Sequence, residues 1–199
     1  MFNFFKKEST SIKPSFSNNN KITEEQKRLI IGEERNQRDL KLNELNNKYI
    51  EYTQKKYNII NELMNSDLYS KAINQENIFN EYSHKYIDLC NQLLQILPQT
   101  LEYDKEEAKI YKLESNFNCC NKYIVNFIKL LEKQEKYNEI INVCRYLLSL
   151  EITEDGTKKG VKGRIEKAVS NFNNKFNTNY TYRIDDDLII NLETGEIME

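Results

Sequence analysis

The chain contains little that interrupts a helix: two prolines and five glycines in 199 residues. Proline removes a backbone donor and glycine costs extra entropy to order, so their scarcity favours long uninterrupted helices. No apolar run approaches the roughly 18 residues that a membrane-spanning helix needs. The opening Met-Phe-Asn-Phe-Phe-Lys-Lys is too short an apolar stretch for a signal peptide and reads as a frayed terminus. A cytoplasmic protein is expected.

Histidine occurs once, at His84. A Ser-His or Cys-His pair would have to use it, and Cys90 lies nearly two turns further along the same expected helix, out of easy contact. His84 therefore reads as a solvated or core-edge residue, and no catalytic residue is assigned. The four cysteines, Cys90, Cys119, Cys120 and Cys144, sit among apolar neighbours at helical spacing. Two are consecutive and none has zinc-ligand spacing, so reduced, buried thiols are expected and not a disulfide framework or a metal site. Asp185-Asp186-Asp187 lacks the rest of a calcium-loop pattern and reads as a solvated acidic turn. No metal and no cofactor is expected.

What is present is a polar globular composition, 39% hydrophobic and 30% charged, with a net charge of −2. Such a balance creates no global field towards nucleic acid or an anionic membrane. Charge is nevertheless segregated near the end. Residues 154–175 carry Lys158, Lys159, Lys162, Arg164, Lys167 and Lys175 for a net +3, and residues 176–199 carry a net −5. Mutual neutralisation of these adjacent blocks is the simplest expectation.

Four regions are expected: 1–21, 22–97, 98–177 and 178–199. The first contains a Ser- and Asn-rich stretch with Pro14 and reads as a disordered arm. Order begins at Thr23, with Gln26 at capping-box spacing. Leu42, Leu45, Tyr49, Tyr52, Ile59 and Leu63 then follow three-four spacing to about Asn65, with Lys56 in one slot. A second helix is expected from Ser66–Asp67 to Leu97, stopped by Pro98, with a stripe of Tyr69, Ala72, Phe79, Tyr86, Cys90, Leu93 and Leu97. The two should form a long antiparallel hairpin.

Beyond a break at 98–104, Ala108 to Leu131 reads as one helix or as two separated near Ser115–Asn118. Lys136–Tyr137 turns into a further helix, Ile140–Leu150. Residues 153–163 read as a glycine-punctuated loop before a last helix from Arg164 to Phe176. The period changes to two at Tyr180, Tyr182 and Ile184, and Leu188–Ile190 and Ile197 flank a Glu193–Glu196 turn with Gly195 where positive φ is wanted. A small β-hairpin or three-strand flap lying on the helices is expected. The fold class is thus mainly α: antiparallel helical hairpins or a bundle, with a small C-terminal β-hairpin.

Residues 124–152, Ile-Val-Asn-Phe-Ile-Lys-Leu-Leu-Glu-Lys-Gln-Glu-Lys-Tyr-Asn-Glu-Ile-Ile-Asn-Val-Cys-Arg-Tyr-Leu-Leu-Ser-Leu-Glu-Ile, resemble one tetratricopeptide repeat. Lys-Tyr-Asn-Glu-Ile-Ile resembles that family's inter-helix turn. Phe127 and Leu131 match its first-helix positions, Cys144 and Leu147 its second. Ile128, Ile140 and Leu147 are bulkier than the family pattern, and Ile152 stands where it tends to carry proline. The resemblance implies a helical scaffold for protein–protein contact, with the helix from Arg164 in the place of a capping helix.

Two function classes follow. The first is a non-enzymatic helical interaction or adaptor protein, of which a phage-encoded inhibitor of a host machine is one form. It would engage a protein partner, or a second copy of the chain, through Tyr57, Tyr82, Leu89 and Ile96. The second is a nucleic-acid or nucleotide-binding accessory protein, using the basic glycine-containing loop with Lys158, Lys159, Lys162 and Arg164 ahead of a helix N-terminus, where an anion is favoured.

Overall fold

A computed structural model describes residues 23–64, 67–74, 76–113, 122–150 and 155–198, the side chains of 74 and 155–159 excepted. The arm expected at 1–21 and the break expected near Ser115–Asn118 lie outside those residues, as do Cys119 and Cys120. The elements are α1 (Glu24–Met64), α2 (Leu68–Asn74), α3 (Glu81–Tyr111), α4 (Lys122–Lys133), α5 (Tyr137–Ser149), α6 (Asp155–Phe176), β1 (Tyr180–Arg183) and β2 (Leu188–Asn191). The fold is mainly helical with a small antiparallel β-hairpin, as the sequence indicates.

The chain divides into two units, 1–37 and 38–199. In the first, the described residues are the start of α1. Gln26 N–H donates to Thr23 Oγ1 at 3.2 Å and Thr23 N–H to Gln26 Oε1 at 2.9 Å, the reciprocal capping box read from the sequence. Every described side chain there is exposed.

In the second unit, α1 from Arg38 onward runs antiparallel to α3. The Arg38 guanidinium lies over the Tyr111 ring, Tyr49 meets Tyr103 edge-on at 6.0 Å, and Lys85 pairs with Glu62 at 3.0 Å. Leu45, Tyr49, Ile59 and Leu63 are buried on the expected stripe. The second helix departs from expectation in being two elements. Asn80, in extended conformation, accepts from Ser83 N–H through its side chain and opens α3 afresh. Phe79, expected on the core stripe, is exposed in the turn before that cap.

Pro98 does not stop the second helix, which continues as α3 to Tyr111. Proline at 98 cannot donate to the carbonyl of Leu94, four residues back. Tyr146 of α5 supplies the missing donor, its hydroxyl reaching Leu94 O at 3.0 Å. The helix survives its proline because another helix satisfies the freed acceptor.

Helices α2 to α6 pack in succession, α2 also against α4, around one continuous core. The end of α4 pins the end of α2 and the turn that follows it. Lys133 Nζ donates to Ile73 O at 3.0 Å, and Gln134 Nε2 to Ile78 O at 3.0 Å.

The loop expected at 153–163 is helical from Asp155, so the glycines at 156, 160 and 163 all lie within α6. Each glycine costs helix stability. Val161 and Ile165, fully buried one turn apart, join the core and override that cost. The strands pair Tyr182 with Ile189 on the buried face and Thr181 with Ile190 on the other. Ile197 adds a single bridge to Ile190 in place of a third strand, and Gly195 has φ of 72° as its turn requires.

Candidate partner surface

The four residues assigned from sequence to a partner surface separate in the structure. Leu89 and Ile96 are buried and belong to the continuous core that also holds Ile124 to Leu131 of α4. They are packing residues and cannot meet a partner without unfolding. Tyr82 is half-buried, packed against the core, with the Lys71 ammonium 5.5 Å from its ring. Tyr57 alone is open to solvent, at 65% exposure.

Tyr57 is accompanied by two residues that lie off the expected stripe. Ile50 is 57% exposed and Met64 62%, and both stand one heptad from Tyr57 along α1. Two helical turns bring such positions back to nearly the same angle, so the three form one row. The row lies well around the helix from buried Leu45, Tyr49, Ile59 and Leu63. Between its members the three- and four-residue offsets hold Thr53, Gln54, Ile60 and Asn61, and Asn47 and Asn43 stand three and seven residues before Ile50.

The strip from Asn43 to Met64 therefore contains no charged side chain, in a chain where 30% of residues are charged. The charges of this stretch stand to one side of it, at Glu44, Lys48, Glu51, Lys55 and Glu62, or at the edge of the α3 contact, at Lys56. Several are already engaged. Lys48 pairs with Glu106 at 2.9 Å, and its ammonium holds that carboxyl below the usual carboxylate range. A scan for i, i+7 apolar recurrence off the main seam would have found the row. Reading only the seam hid it.

The anion site expected from the sequence is not assembled as a loop ahead of a helix. The helix already begins at Asp155, before the lysines. The Lys158 and Lys159 side chains lie outside the described ones. Lys162 directs its ammonium to the carbonyl of Ile184 at 2.9 Å, at the turn that carries Asp185, Asp186 and Asp187. Arg145 reaches Asp187 O, and Arg183 pairs with Asp186. Basic α6 and the acidic turn thus meet. Arg164 is half-buried.

Among the described residues no group of three or more His, Cys, Asp and Glu could hold a metal ion. A groove of about 440 Å³ lined by Pro98, Leu101, Glu102, Glu106, Lys109 and Leu150 mixes charges of both signs, and its one hydroxyl, Ser149, is hydrogen-bonded to Tyr146 O. No described helix is long and apolar enough to cross a membrane. No family model, curated protein or solved structure matches the chain.

Proposed function

We propose that the protein is a non-enzymatic helical binding protein that engages a protein partner through the outer face of α1. The observation carrying this reading is the exposed row of Ile50, Tyr57 and Met64 within an uncharged strip. Depletion of charge with enrichment of tyrosine and methionine is the compositional mark of an interface core, and tyrosine loses little entropy on docking. The succession of antiparallel helices α2 to α6, with α4 and α5 as the repeat-like pair, supports a scaffold role in keeping with the tetratricopeptide resemblance. An adaptor or an inhibitor of a larger assembly are both forms of this function.

Affinity capture with the intact chain and with Tyr57→Glu tests the proposal. Loss of a partner that the wild-type chain retains, at unchanged melting temperature, is the expected result. Equal capture by both chains places the interface elsewhere.

A further inference from the structure

We propose that α1 from Arg38 to Tyr49 is a strap that releases from α3 as a unit, while Ile59 and Leu63 hold the rest of the helix in the core. The inference is independent of the partner-surface reading, because it concerns the inner face of α1. The two ends of the α1–α3 contact differ in kind. Ile59 and Leu63 belong to the continuous core, with Tyr52 and Ile60 packed against it. Leu45 and Tyr49 are buried but stand outside that core. The Cα atoms of α1 and α3 stay more than 8 Å apart along nearly all of the contact, unlike those of the successive helices from α2 to α6.

From Arg38 to Tyr49 the tips of long side chains bridge this gap. The Arg38 guanidinium lies 5.7 Å from the centre of the Tyr111 ring, and Tyr103 donates its hydroxyl to Asn46 Oδ1 at 2.8 Å. Glu106 Oε1 accepts from Lys48 Nζ at 2.9 Å and from the Tyr49 hydroxyl at 3.2 Å. Lys48 is 59% exposed, and a pair so open to water contributes little. A polar layer then divides this stretch from the core. Lys56 fills a slot of the buried stripe and turns to Asp104 at 3.5 Å. Gln99 stands one turn before Tyr103, on the face of α3 that meets α1, and its buried side-chain carbonyl has no donor. An unpaired buried acceptor weakens the contact that covers it. Release turns Leu45, Tyr49 and Tyr103 to solvent without opening the core.

Hydrogen exchange of the full chain, read by mass spectrometry, tests the inference. A helical stretch of this length is marginal in water without its neighbour, so release shows as exchange of its amides. Relative to their unstructured rates, amides of 42–52 should exchange on the order of tenfold faster than those of α4 and α5. Glu106→Gln weakens both bonds to α1 and should speed the 42–52 amides about fivefold further. Gln99→Met keeps the length of the side chain, removes the unpaired carbonyl and should slow them about fivefold. Neither variant should move α4 or α5. Protection of 42–52 equal to that of α4 and α5 overturns the strap, as do variants that shift every helix together or leave 42–52 unmoved. Gln99→Met decides alone where Glu106→Gln fails to fold.

Discussion

The hydroxyl of Tyr146 donates to the carbonyl of Leu94 at 3.0 Å, and Leu94 is the acceptor that Pro98 leaves without a helical donor. Leu94 is buried, so its carbonyl has little recourse to water. Tyr146→Phe should therefore cost about 1–3 kcal/mol, the penalty for orphaning a buried acceptor. Pro98→Ala restores a backbone N–H at the same carbonyl and should reduce the effect of Tyr146→Phe. Urea denaturation of the two single variants and the double variant measures the coupling. Additive effects would mean that the tyrosine acts through packing alone.

The helical glycines make a second prediction. A Cβ at Gly160 or Gly163 would meet nothing within 4 Å, and neither residue has positive φ. In a helix, Gly→Ala at such exposed sites should stabilise by about 0.5–1 kcal/mol each. If the segment were the flexible loop that its glycines suggest, alanine would leave the denaturation midpoint unmoved.

Alkaline pH should unfold the protein in step with tyrosine ionisation. Burial pushes the Tyr86 hydroxyl and the Cys90 thiol well above their ordinary values, and burial plus the nearby Asp187 carboxylate does the same for Tyr182. Tyr182 also donates to Asp187 Oδ1 at 2.7 Å, which favours its neutral form. A raised folded pKa favours the protonated native state. The stabilisation is complete below the ordinary tyrosine pKa near 10 and is lost as pH rises beyond it. Absorbance of phenolate and circular dichroism should therefore change together above that pH for the buried tyrosines. Ionisation of every tyrosine before any loss of helix would contradict the burial.

Much of the fold was legible because its signals are local. Thr23 and Gln26 announce the start of α1, the row Leu45–Tyr49–Ile59–Leu63 marks its buried side, and Tyr182 with Ile189 marks the strand face. The failures came where a distant residue decides. Pro98 is a stop signal until Tyr146 answers for the carbonyl it frees. Three glycines read as a loop until Val161 and Ile165 find a core to enter. Leu89 and Ile96 read as partner-binding residues because the sequence does not show which helices surround α3. Tyr57 lies off the seam of α1, and seam periodicity does not reveal its companions Ile50 and Met64 because they belong to no seam.

Side-chain labelling by hydroxyl radicals tests the partner surface most directly, comparing dilute purified protein with the protein in an extract of its native cells. The account predicts strong labelling of Tyr57 and weak labelling of buried Tyr49 in the dilute sample. In the extract Tyr57, Ile50 and Met64 should be protected together, while exposed Phe79 stays as reactive as before. Unchanged labelling of Tyr57 in the two samples would contradict a binding role for the outer face of α1.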